Sequence, residues 1–285
     1  MIFLIAAILF STLNHLIFKA FDKYHIRIYP AVTANYAACV GVGLLSALPH
    51  TAGGVPRPWL GLAAVQGLLF FISFVLIGRT TRARGVAVTG LATRLAVAIP
   101  TLAAFFMFGD TAAPAKCSGI VLALVALYLS CRPGTDKEKK DKGSAWLPVW
   151  LFITFGTHAT LLKYVQVNFL THTDLPVYVM TAFFFSLCAS GLVTGSLLLM
   201  GHLRIGLRDI LAGAGLGCIN FGAVFFLIKT LAQPGWQSSR IFPTMSISVV
   251  IFSALGARLL FSEQIHAHLI RAILVGTAAI VLING

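Results

Sequence analysis

Residues 85–129 read GVAVTGLATRLAVAIPTLAAFFMFGDTAAPAKCSGIVLALVALYL. Two apolar segments, 86–108 and 117–129, are joined at Gly109, Asp110 and Pro114, and each extends to about the 20 residues that span a bilayer as a helix. With no water to satisfy an open backbone, runs of this length argue for membrane helices. One full charge, Arg94, stands inside the first segment. An ionisable group at that depth is expensive in hydrocarbon and is expected to face a protein interior or a water-filled cavity. Arg94 is therefore the first clue to function.

The whole chain has the same character. It holds 285 residues, 58% hydrophobic and 10% charged, with a mean hydropathy of +0.92. A soluble fold of that composition would leave much of its apolar area in water, so the sequence predicts an all-α polytopic membrane protein. Ten apolar segments follow one another at 1–21, 31–49, 58–78, 86–108, 114–131, 146–169, 175–200, 208–231, 236–261 and 265–284. The net charge of +13 would point to nucleic acid in a soluble protein. Here the Lys and Arg residues gather between apolar runs, which is a topology signal and gives no reason to expect a nucleic-acid partner. Cys39, Cys117, Cys131, Cys188 and Cys218 show no CxxC or Cys/His spacing and read as small buried hydrophobes, with no disulfide or metal framework. The N-terminal MIFLIAAILFSTLNHLIF lacks a basic leader region and an A-x-A-like cleavage site, so it reads as a retained first helix.

The chain divides near its middle. Residues 132–144, RPGTDKEKKDKGS, form the one strongly polar stretch and read as a solvated linker between a first half, 1–131, and a second, 145–285. Five segments in each half is an odd number, so the halves would sit in opposite orientations, as two inverted five-helix repeats. Internal similarity supports this. Ser262, Glu263 and Ala272 stand 153 residues after Gly109, Asp110 and Gly119, and a His–Lys pair occupies the second half of both the first segment (His15, Lys19) and the sixth (His158, Lys163).

A long apolar helix with Pro100, then Gly109 and an acidic residue, then Gly119 inside the next apolar helix, resembles the repeat of the EamA-like transporters of the drug/metabolite transporter superfamily. The second copy departs from it, with Ser262 for Gly109 and Ala272 for Gly119, and Asp110 replaces the glutamate usual in the first. The resemblance implies ten transmembrane helices with the fifth and tenth at the periphery. It further implies a secondary transporter moving a small organic metabolite by alternating access, with no cofactor, in the plasma membrane or bacterial inner membrane, as a monomer or homodimer coupled to protons or a counter-substrate. Termini inside are usual in that family. The charges give the opposite: Lys23, Arg27, Arg79, Arg82, Arg84, Arg132, Lys137, Lys139, Lys140, Lys142, Arg204, Arg208, Arg258 and Arg271 follow odd-numbered segments, against Arg57 and Lys116 after even ones. By the positive-inside rule both termini are outside.

Candidate substrate-binding residues are Arg94, His15, Lys19, His158, Lys163, Asn220 and Arg240. Lys19, Lys163 and Lys229 stand close enough to segment ends to snorkel as an alternative. All eight acids fall in loops or at segment ends, so a positive field is left in the middle. That argues against a cation pump, which needs an intramembrane carboxylate, and for an anionic or zwitterionic substrate whose carboxylate or phosphate meets the Arg94 guanidinium. His15 and His158 are either proton carriers or hydrogen-bonded structural residues. Asn14, Asn35, Tyr36, Gln66 and Asn220 serve equally as helix-to-helix hydrogen bonds. A membrane-embedded lipid-modifying enzyme, the alternative class, would need a carboxylate beside a histidine or clustered metal ligands at one face, and no such cluster is found. A channel is a further alternative, although no stretch resembles a selectivity filter. No GxxxxGK[ST] loop is present for a nucleotide-driven pump.

Overall fold

The computed structural model describes residues 2–47, 58–107, 113–131, 146–170, 175–231, 238–264 and 267–284. Gly109, Asp110, Arg57, Asp174 and the linker 132–144 lie outside them. The described residues form helices and no strands. In chain order these are α1 (Ile2–Lys23), α2 (Ile28–Ala47), α3 (Leu60–Arg84), α4 (Val86–Leu95), α5 (Ala98–Met107), α6 (Pro114–Cys131), α7 (Leu147–Phe169), α8 (Leu175–Leu199), α9 (Leu207–Leu231), α10 (Ser238–Phe261) and α11 (Ala267–Asn284).

Among the described residues, six spans are long and apolar enough to cross a membrane: Ile2–Lys23, Leu60–Arg84, Val86–Met107, Val177–Leu199, Leu207–Leu227 and Thr244–Phe261. Ile28–Leu44, Pro114–Ser130 and Leu269–Ile283 are apolar but shorter. α7 has the length, yet His158, Lys163, Gln166 and Asn168 dilute its apolar character. Large apolar side chains stand exposed on these helices, Leu199 at 90%, Leu259 at 80% and Leu192 at 75% among them, which suits lipid and not water. The protein is a helical, multi-pass membrane protein.

Two boundaries differ from the sequence expectation. The third segment was expected to end at 78, but α3 runs on to Arg84, so Arg79, Arg82 and Arg84 belong to its last turns, and Gly85 at φ 90° ends it. The segment 86–108 is two helices with a turn at Ala96 and Val97. Pro100 has no N–H for the Ala96 carbonyl and its ring crowds that oxygen, so the break falls one turn earlier and leaves Pro100 in the first turn of α5. The backbone crosses the break on shorter-range bonds, Val97 N to Arg94 O (3.5 Å) and Ile99 N to Ala96 O (3.1 Å). The cysteines also differ. Cys39 is buried, but Cys117, Cys188 and Cys218 are exposed on the faces of apolar helices, where a thiol is tolerated by lipid.

The chain forms two compact units, each drawing on both halves of the sequence: Met1–Ala20, Leu76–Thr157 and Gly222–Gly285 make the first, Phe21–Val75 and His158–Phe221 the second. In the first unit α6 lies against α11 so closely that a Cβ on Gly119 would be 3.0 Å from the Ala279 carbonyl oxygen. α4 is wrapped by α6, α10 and α11. Nine of its ten residues are buried, Arg94 alone being partly exposed. In the second unit α2 pairs with α8, the Thr33 and Thr194 hydroxyls meeting at 2.9 Å, and α9 lies on α2 through Gly213 and Gly217. Trp59, Ala63, Val165, Val177 and Tyr178 close one end of that unit.

Candidate functional site

The register of α1, α4 and α10 places the polar groups of the first unit. Leu4 and Ala7 pack with Met245 and Val249, while Leu16 meets Ala257 and lies over Gly256, so α1 and α10 run parallel. α4 runs antiparallel to both. Val86 is level with Ala257 and Leu16, Ala87 and Val88 with Ala254, and Gly90 with Ser253, whose Oγ would be 2.7 Å from a Cβ there. Helical side chains lean toward their own N-terminus. Arg94 on α4 and His15 on α1 therefore lean to one level along the helix axes, that of Thr12, Gly90 and Ser253.

That layer is polar and unsatisfied. Thr12 Oγ1, His15 Nδ1 and Arg94 Nε are buried without a hydrogen-bond partner among the described residues. His15 and Thr12 are each 5% exposed. Ser253 and Thr93 do not help, because each hydroxyl donates to a carbonyl of its own helix, Val250 and Gly90 respectively. An orphaned buried polar atom costs roughly 1–3 kcal/mol. Three in one layer, one of them on a guanidinium beside a helix break, form a site with donors to spare.

Farther along α1 the balance changes. Lys19 Nζ lies 4.0 Å from Glu263 Oε2, so a carboxylate meets the charge that the sequence left for substrate. The same oxygen accepts a bond from Val86 N–H at 3.2 Å, capping the N-terminus of α4. Among the described residues, Glu263 is the acid of this unit, and it sits beyond the end of α10, away from Arg94. Arg240 is in the first turn of α10.

His158, Lys163 and Asn220 belong to the second unit, and so are not brought together with Arg94 within one unit. His158 stacks edge-on against Phe70 at 5.2 Å, in a ring cluster continued by Phe183, Tyr36 and Phe74. Lys163 is half-buried on α7. Asn220 Nδ2 donates to Asn35 Oδ1 at 3.5 Å and to Cys39 Sγ at 3.6 Å, and the Cys39 thiol donates to the Gly217 carbonyl at 3.4 Å. These bonds make Asn220 part of the α2–α9 contact. Gln66 is fully buried with neither amide atom bonded among the described residues.

One feature of this unit had no sequence signal beyond the residue types. Asp209, 5% exposed at the start of α9, accepts bonds from Arg27 N–H (2.9 Å) and Gly206 N–H (3.0 Å) and pairs with the Arg27 guanidinium at 3.5 Å. Arg27 also donates to the Arg204 carbonyl. The connection α1–α2 is thereby tied to the connection α8–α9. Thr12, similarly, is an unremarkable threonine until the register sets it at the level to which His15 and Arg94 lean.

No family model matches the chain. The chain is similar to an uncharacterized protein of Haemophilus influenzae, 24% identical over 270 residues that cover 92% of this chain and 90% of that one. It is also similar to a protein of known crystal structure, with a TM-score of 0.59 and 15% identity over 96% of this chain and 97% of the other. At that identity the likeness is one of fold, and it extends nearly end to end.

Proposed function

We propose that the protein is a secondary transporter of the EamA-like type, moving a small anionic or zwitterionic metabolite across the bacterial inner or plasma membrane by alternating access, with Arg94 as the substrate anchor. The observation that carries this reading is the buried Nε of Arg94, without a hydrogen-bond partner among the described residues, beside the α4–α5 break in a unit whose described acid is elsewhere. A guanidinium whose Nε has no partner among the described residues can offer it, together with a terminal N–H, to a carboxylate or phosphate, which accepts two parallel bonds.

The helix pairing supports the ten-helix, inverted-repeat part of the proposal. The packed pairs α2 with α8, α4 with α10 and α6 with α11 each join helices of equivalent position in the two halves. Ser262 adopts φ 52°, a conformation glycine takes freely, and it stands where the first copy of the motif has Gly109. The connections tied together are also of like parity: α1–α2 with α8–α9 through Asp209, and α3–α4 with α10–α11 through Glu263.

The test is a thermal-shift or native mass-spectrometry screen of purified protein against a metabolite panel, followed by Arg94 variants. Hits should be carboxylates or phosphate esters. Arg94→Lys keeps the charge and loses the fork, and Arg94→Gln loses both, so binding should fall in the order wild type, Lys, Gln. Truncating a buried charge-assisted contact costs about 2–5 kcal/mol, roughly 30-fold or more in affinity. Normal anion binding by a well-folded Arg94→Gln variant would refute the assignment.

A further inference from the structure

Gln66 is the buried group of the second unit that anchoring an anion leaves unexplained. It stands in α3, a span long and apolar enough to cross a membrane, and is fully buried with neither amide atom bonded among the described residues. An intramembrane glutamine ordinarily bonds a neighbouring helix, because no water reaches it there. The packing around Gln66 offers it little. α8 runs parallel to α3, with Trp59 against Tyr178, and its Ser186 hydroxyl is already committed to the Gly67 and Ala182 carbonyls at 2.8 and 2.9 Å. α7 runs antiparallel, with His158 against Phe70 and Val165 in one cluster with Trp59 and Ala63. Gln66 is thus level with the part of α7 between His158 and Val165. From there Leu161 and Leu162 pack inward, and neither offers a hydrogen bond.

Gln66, Phe70 and Ser73 recur at i, i+4 and i+7, so they share one face of α3, each side chain leaning back over the turn before it. The Ser73 hydroxyl is also buried with no partner among the described residues. Between the two open groups stands the Phe70 ring, 5.6 Å from that of Phe183 and 5.2 Å from that of His158, and Phe183 leads on to Tyr36 at 6.1 Å. Phe70 and His158 are partly exposed, so this face can be reached from outside the core. A ring flanked by an open amide and an open hydroxyl frames a second flat ring with a polar edge. The guest ring stacks on Phe70, while Gln66 donates an N–H to the guest carbonyl and accepts one in return, the closed pair that two amides form. These three side chains are neutral, so a charged guest would lose its hydration for nothing.

We propose that this face of the second unit binds an uncharged aromatic amide, carboxamide or lactam, with its ring on Phe70, its amide paired edge to edge with that of Gln66, and Ser73 at the far edge. This goes beyond the anion reading and does not rest on it, since the residues that carry it are uncharged and Arg94 belongs to the other unit. A purely structural amide is the alternative, and energy weighs against it. Leucine fills about the same space without an orphaned donor and acceptor, so with no guest the glutamine only lowers stability.

The experiment uses the purified full chain in lipid nanodiscs with benzamide and acetophenone as probes, titrated by saturation-transfer NMR against empty nanodiscs. The two share ring, carbonyl and size, but acetophenone carries a methyl where benzamide has its N–H donors. Acetophenone is the more apolar, so lipid and apolar crevices favour it, and a preference for benzamide reports the amide pairing. We expect benzamide to bind about tenfold or more tightly than acetophenone. Gln66→Leu should melt no lower than wild type and bind the two probes alike, while Phe70→Leu should weaken both and keep the preference. Equal binding of the probes by wild type, a preference for acetophenone, or no binding of benzamide overturns the inference. A preference that survives in a folded Gln66→Leu variant puts the amide contact elsewhere and overturns it equally. Should Gln66→Leu fail to fold, Phe70→Leu decides with the wild-type comparison: an unchanged benzamide affinity there removes the ring from the site and sinks the proposal. Each of these outcomes leaves the anion reading at Arg94 standing.

Discussion

At the scale of single residues, the contact of Gly85 with Glu263 fixes where α4 begins. Gly85 has φ 90°, and a Cβ there would stand 1.9 Å from Glu263 Oε1, so any side chain meets both a disfavoured backbone and an occupied space. The carboxylate in turn caps Val86 N–H and faces Lys19. Gly85→Ala should therefore lower stability by about 1–3 kcal/mol. Glu263→Gln keeps an acceptor for Val86 and gives up an ion pair whose lysine is 23% exposed, so it should cost less than about 1 kcal/mol. Thermal unfolding in detergent, followed by fluorescence, separates the two. A Glu263→Gln loss as large as that of Gly85→Ala would mean that the ion pair, not the geometry, holds this corner. The sequence flagged Glu263 as half of a repeated motif, and it flagged Lys19 as a binding candidate. That the two meet was not legible, because the contact joins the first helix to the tenth and no local pattern encodes it.

At the scale of helices, small residues decide which backbones touch. Gly213 and Gly217 face α2, where added Cβ atoms would lie 2.2 Å from the Ala31 carbonyl oxygen and 2.4 Å from that of Asn35. Gly215, between them, meets nothing within 4 Å. The three glycines look alike in sequence and differ only by the face they occupy. Gly213→Ala or Gly217→Ala must push α9 off α2 and disturb the Asn220–Cys39 bond, so each should cost roughly 1–3 kcal/mol. Gly215→Ala should be neutral or stabilising by about 0.5–1 kcal/mol, as Ala replaces Gly in a helix. Equal melting temperatures for Gly215→Ala and Gly217→Ala would refute the packing assignment. Helix existence was legible from apolar length alone, and most ends fell within a few residues of those expected. The α4–α5 break was less so: Pro100 announced a kink, but the turn sits at Ala96 because the lost bond belongs to the carbonyl four residues earlier.

At the scale of the whole molecule, the order of apolar runs gave the membrane class, whereas the two compact units were hidden because each is assembled from both ends of the chain. Topology is where the two kinds of information can be tested together. Asp209 holds the connections α1–α2 and α8–α9 side by side, and Lys23, Arg27, Arg204 and Arg208 cluster around them. Glu263 holds α3–α4 beside α10–α11, flanked by Arg79, Arg82, Arg84 and Arg258. If every segment crosses the bilayer, all four connections share one side, and their basic residues make that side cytoplasmic. The first and last helices then each cross once from it, and both termini emerge outside. Single cysteines placed at His25, His202 and Gln264 in a cysteine-free background should resist a membrane-impermeant maleimide in intact cells and react after permeabilisation, while a cysteine appended at either terminus should react at once. Opposite accessibility of His25 and His202 would break the shared-side argument itself. Termini that label only after permeabilisation, with the three connections reactive outside, would keep the pairing and invert the molecule, giving the arrangement the EamA-like resemblance implies.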